Sequence, residues 1–157
     1  MIDEKSLVPR TWVGHMGPAY MKLLFGEKEV TGEMSMGGPS MPVSVTLKAP
    51  VFAGGSSVEL AVTALPLAEG YSTTVRVFEV MEQKVRPMLV TVTGKESVTV
   101  PAGTFDAFKV EMKPLDGEPG TSTLFVNAQD RFIVRAVYEI SPSQGGGTAT
   151  VELQSRK

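Results

Sequence analysis

Cysteine is absent from this 157-residue chain, which removes thiolate catalysis, zinc-thiolate sites and iron-sulfur clusters in one step. The absence says little about compartment, because a chain of this length buries roughly two thirds of its unfolded surface and needs no bridge to be stable. Histidine occurs once, as His15. A histidine-based triad would have to use it, and no serine stands in a G-x-S-x-G elbow. Apolar runs of bilayer-spanning length are missing too, and the opening Met1-Ile2-Asp3-Glu4-Lys5 lacks the basic and then apolar regions of a signal peptide. Charge of one sign is nowhere concentrated: the net charge is −2, with both signs scattered. Nucleic-acid binders gather Lys and Arg on one face, so no DNA or RNA partner is expected.

What the chain does have is alternation of period two, the pattern of a strand with one buried face. It is clearest from Val98 to Met112. Val98 and Val100 alternate with Ser97 and Thr99, and Phe108, Val110 and Met112 alternate with Lys109 and Glu111. Between them, Pro101 suits the first corner of a type I turn, and Gly103 suits the left-handed position that closes a three-residue hairpin. Earlier, strands are expected from Leu7 to Met16, Ala19 to Phe25, Glu29 to Met36 and across Val43, Val45 and Leu47, joined by short links as a meander. Later ones follow across Val75 and Val77, across Met88, Val90 and Val92, and over 121–126, 132–140 and 148–153. Links too short for crossovers predict an antiparallel sheet, of about ten strands at the spacing of an all-β barrel or sandwich.

One segment breaks the alternation. Ser56 or Ser57 is a candidate N-cap, Val58 to Leu65 supply an apolar turn or two, and Pro66 forbids continuation. A helix over 56–65 would lie against the sheet, with Leu60, Leu65 and Leu67 plugging one end of the core.

The phrase from Gly94 to Glu111, with Val98-Thr99-Val100-Pro101-Ala102-Gly103-Thr104-Phe105 at its centre, resembles the signature of a domain-of-unknown-function family of bacterial envelope proteins. Leu65-Pro66-Leu67-Ala68-Glu69-Gly70-Tyr71, Leu124-Phe125-Val126, Arg131-Phe132-Ile133-Val134-Arg135 and the opening Ile2 to Arg10 resemble other phrases of that family. The resemblance implies a strongly curved antiparallel sheet with one short helix, similar to the half-barrels of lipoprotein-localisation factors. It also implies an exported, periplasmic location and an upstream portion, so that 1–157 would be a single β domain at the C-terminal end of a longer exported protein. It brings no catalytic residue.

The candidate chemistry is correspondingly thin. Asp106 and Glu111 stand five positions apart, an odd offset that sets them on opposite faces of a strand, and Glu79 with Glu82 has no stated cleft; paired carboxylate catalysis needs two facing one cleft. Gly145-Gly146-Gly147 is followed by a strand pattern and reads as a hairpin loop, since a phosphate loop leads into a helix. Arg131, Arg135 and Glu139 recur at steps of four on one strand face, which reads as a solvated ion-paired surface or, more sharply, as an anion clamp.

Methionine is the one residue in excess, with nine copies. Flexible thioethers fill irregular apolar spaces and adapt to varied ligands. A loosely specified core would explain them; so would an adaptable apolar surface in the open face of a curved sheet, built from Met34, Met36 and Met41 with Trp12, Tyr20 and Phe25. A copper role would use the same thioethers, but their spacing along the chain is irregular. The sequence therefore predicts a mainly β, open half-barrel with no enzyme activity, cofactor or metal. The expected function is a cell-envelope domain binding an apolar molecule, a lipid or a lipidated partner at those six residues; a ligand-free structural or protein-interaction module is the alternative.

Overall fold

A computed structural model describes residues 8–54, 56–140, 142 and 145–156. Expectations resting on Met1 to Leu7, on the Ser56 side chain, or on Ser141, Ser143 and Gln144 of the last loop lie outside the described residues. Among them are eleven strands and one helix: β1 (Thr11–Met16), β2 (Ala19–Phe25), β3 (Glu29–Met36), β4 (Met41–Thr46), β5 (Phe52–Ala53), α1 (Ser56–Thr63), β6 (Ser72–Glu79), β7 (Lys84–Val100), β8 (Gly103–Pro114), β9 (Ser122–Asn127), β10 (Ile133–Glu139) and β11 (Thr148–Glu152). The fold is mainly β, as expected. One sheet holds β1-β2-β3-β4; the other runs β11-β10-β9-β8-β7-β6-β5 and is curled as a half-barrel. By contacts the chain divides into two compact units, Met1–Leu60 with Arg76–Val85, and Ala61–Val75 with Arg86–Lys157.

In the first unit, β1 to β4 form the expected antiparallel meander. Gly17 takes φ +60 and Gly37 φ +92 in its turns, conformations that side chains disfavour. The register sets Trp12, Leu23, Gly32 and Val43 in one cross-strand row. Residues of this row and of alternate rows face a core of Met21, Leu23, Val30, Val43, Leu47, Val51, Phe78 and Val80. Phe25 meets Phe78 edge-on, with centroids 5.7 Å apart. Leu23, Val30 and Phe78 are fully buried, each stabilising by roughly 1.5–3 kcal/mol. Gly32 is required in its row: a Cβ there would lie 2.0 Å from the carbonyl oxygen of Lys22.

The second unit centres on the long β7–β8 hairpin. Val100 pairs directly with Gly103, so the loop is two residues, Pro101-Ala102, rather than the three expected. Gly103 holds φ +131. A register shift between Val92 and Gly94 makes Thr93 the extra residue of a bulge. Because side chains alternate strictly, one extra residue moves everything beyond it to the other face. Val90 and Val92 therefore pack with Val110 and Met112 on one face, whereas Val98 and Val100 join Ala107, Phe125 and Val134 on the other. This explains why Leu124, Phe125, Val126 and Asn127 of β9 are all buried: both faces of that strand are covered.

Two expectations are corrected here. β5 pairs with β6 in parallel, not antiparallel, because α1 and the loop after it make a crossover long enough to bring the chain back in the same direction. The helix buries Val58, Ala61 and Val62 and leaves Leu60 47% exposed. The spacing i, i+3, i+4 selects that face, so Leu60 is no plug, Leu65 is half-buried, and only Leu67 is buried as expected. Ser57 does not cap: it lies inside the helix with its buried Oγ unpartnered. The helix closes at its C-terminal end through Leu65 N–H donating to Val62 O at 3.1 Å, just before Pro66.

Candidate functional site

The apolar face of the four-stranded sheet is filled along most of its length and opens at one end. There the register sets Met16, Ala19 and Met36 in one row, and Gly14, Met21, Met34 and Met41 in the next. Strand alternation puts all of them on the same face. Around the Met16–Ala19–Met36 end is a groove of about 270 Å³, walled by Trp12, Met16, Ala19, Met21, Met36 and Met81. His15 and Tyr20, a cross-strand pair with rings 6.3 Å apart, also border it.

Local sequence makes this opening. The Trp12 indole lies across Gly14, so that a Cβ at position 14 would stand 2.3 Å from its Cη2. Glycine at 14 and alanine at 19 are the small residues that keep the floor low, one letting the indole lie down and the other leaving room between two long side chains. Met16, Met36 and Met81 are 72%, 62% and 62% exposed, whereas Met21 is buried beneath them. Three large apolar side chains thus remain in solvent around one concavity, where scattered single ones would be unremarkable.

Of the residues expected to bind, the groove collects Trp12, Tyr20 and Met36 and not the other three. Phe25 packs in the core beside Phe78. Met34 packs against the same core, with its Sδ accepting a hydrogen bond from Gln83 Nε2 at 2.8 Å. Met41 shares the face and is exposed, one row away from the lining. Sequence reasoning missed Met16, Met21 and Met81. Met16 and Met21 were legible as residues on the right face; Met81 was not, since only the turn between β6 and β7 carries it there.

The other candidates resolve into structural roles. Arg135 donates from Nε to Glu152 at 2.8 Å and from Nη2 to the Thr99 carbonyl at 2.7 Å. Glu139 instead accepts from the backbone N–H of Thr121. Arg131 precedes β10, at φ +59, with its guanidinium over the Phe108 ring. A bulge between Ile133 and Arg135 breaks the step-of-four register, so the three do not form a clamp. A second cavity, of about 260 Å³, is bordered by Lys95, Thr104, Asp106, Asn127 and Gln129. Asn127 there is occupied locally, its Oδ1 accepting the N–H groups of Gln129 and Asp130. Among the described residues, no group of three or more His, Cys, Asp or Glu could hold a metal ion, and no helix is long and apolar enough to cross a membrane.

Comparison with known families places residues 2–153 within the model of DUF3108, described as a protein of unknown function. No curated protein and no solved structure matches the chain.

Proposed function

We propose that this chain, which belongs to the DUF3108 family, is a non-catalytic cell-envelope domain that holds an apolar segment of a lipid or lipidated partner in the groove of its four-stranded sheet. The observation that carries the reading is the concavity itself: Trp12 and three exposed methionines surround about 270 Å³ of space whose lining holds no Lys, Arg, Asp or Glu. Whole-ligand sites in proteins run from roughly 300 to 1,000 Å³. The groove falls just short of that range, which suits the end of an acyl chain or one apolar side chain better than a complete lipid. Methionine walls suit such a ligand, because an unbranched thioether repacks around chains of different shape. The envelope location rests on the resemblance of the hairpin phrase around Pro101-Ala102-Gly103 to envelope proteins.

Trp12 is the only tryptophan, so its fluorescence reports on the groove directly. Decanoate titrated into the protein is expected to shift the Trp12 emission and to appear as a one-to-one adduct in native mass spectrometry. The double variant Met16→Glu, Met36→Glu puts two carboxylates into the lining at exposed positions, where substitutions usually change stability by less than about 0.5 kcal/mol. It is expected to lose the shift while keeping its fold. Binding unchanged in that variant would remove the groove from consideration. No uptake by the unaltered protein would favour the interaction module, for which the filled clusters of both units speak.

A further inference from the structure

The same groove has a second chemistry that its apolar character does not require. Leucine would serve as well as methionine to cover exposed apolar positions, yet Met16, Met36 and Met81 present thioether sulfurs from three separate parts of the chain. Along the sequence these positions show no metal-binding spacing; the fold brings them to one groove. Cross-strand neighbours stand about 4.5–5.5 Å apart, so Met16 and Met36, two strands apart across Ala19, have backbones separated by about 10 Å. Both side chains line the same groove, and an unbranched thioether is long and flexible enough to reach over part of that span. Met81 borders the same space. Met34 is set apart by the Gln83 hydrogen bond on its sulfur.

We propose that these three thioethers form a site for copper(I). Thioether sulfur is a soft, neutral donor, and soft donors select copper(I) over the hard divalent cations that carboxylate and carbonyl oxygens hold. The lining offers no carboxylate, its polar side chains being those of His15 and Tyr20, so a hard divalent cation finds no anionic oxygen donor there. Trp12 adds an aromatic ring beside the space, and a cation near an indole is attracted by its quadrupole. A neutral donor set of this kind also needs no deprotonation before the metal enters, unlike thiolate or imidazole ligands.

The test is competition with bicinchoninate for copper(I), run anaerobically with ascorbate. The protein is expected to withdraw one equivalent of copper(I). The triple variant Met16→Leu, Met36→Leu, Met81→Leu keeps apolar volume, since leucine and methionine exchange with little cost. It is expected to weaken copper(I) binding by at least about 100-fold, the upper end of what even outer-shell changes cost at metal sites, while its far-UV circular dichroism and urea midpoint stay close to those of the unaltered protein. Met88→Leu and Met112→Leu, buried in the second unit, serve as controls and should leave copper affinity as it was. Failure of the unaltered protein to withdraw copper, or equal affinity in the triple variant, overturns the proposal. Copper withdrawal and decanoate uptake are measured separately on the unaltered protein, so failure of one reading leaves the other standing.

Discussion

The two units each carry an apolar cluster, and they are finished in opposite ways. In the second unit the cluster of Val98, Val100, Ala107, Phe125 and Val134 is sealed by rigid groups. Phe105 and Phe132 meet edge-on with centroids 5.5 Å apart, and the Arg156 guanidinium lies 4.1 Å from the Phe132 centroid while its Nη1 reaches Asp130 at 2.8 Å. In the first unit the cluster is equally well filled around Phe78, but its end is bordered by methionines and left open. β-Branched and aromatic side chains have few rotamers and lock a surface into one shape. Methionine does not. The comparison teaches that the open end is a local choice of residue type, made next to a core that packs in the ordinary way.

Truncation should be felt most where that packing is complete. Phe78→Ala removes a fully buried ring from the first cluster, together with its edge contact to Phe25, and is expected to cost about 4 kcal/mol in urea unfolding. A cost near 1 kcal/mol would mean that this cluster is as loose as its open end. Next in size is Arg86→Ala. Arg86 is 7% exposed and binds Asp116 through Nε at 2.9 Å and Nη2 at 3.1 Å, with Pro119 O at 3.2 Å. Removing it should cost about 3 kcal/mol, the lower end for breaking a buried pair, because the Asp116 carboxylate is still partly in water. Hydrogen exchange should show the effect first in the 115–120 loop; uniform loss of protection throughout the chain would contradict a local clamp. Phe132→Ala sharpens the comparison from the other side. Its ring is only half-buried, so losing the seal over the second cluster is expected to cost about 2 kcal/mol, part of it the aromatic and cation–π contacts. The variant should gain affinity for an apolar dye, turning a closed cluster into one resembling the groove.

Strand alternation placed β2 and β3 where they stand and β9 to β11 to within a residue, whereas β7 joins the stretches expected across Met88 to Val92 and Val98 to Val100 into one strand, and β8 starts well before Phe108. It failed where one residue changed the phase. Nothing between Val92 and Gly94 announces a bulge, so alternation alone does not show that Val90 and Val98 lie on two faces. The parallel β5–β6 pair was hidden because a two-residue strand has no pattern of its own. The lining of the groove was half legible. Trp12, Tyr20 and Met36 follow from methionine and aromatic enrichment in the meander, while Phe25 and Met34 share that enrichment and serve the core instead.

By itself, the order of apolar and polar residues determined that this protein is a β structure with a meander, a long hairpin and one short helix, because a period of two or of 3.6 is a property of the chain next to itself. Which methionines meet, which face each valine covers and where space is left over were decided only by tertiary structure. Those depend on register between strands and on the turn that brings Met81 beside Met16 and Met36, and a one-residue shift in pairing changes the face of every residue beyond it.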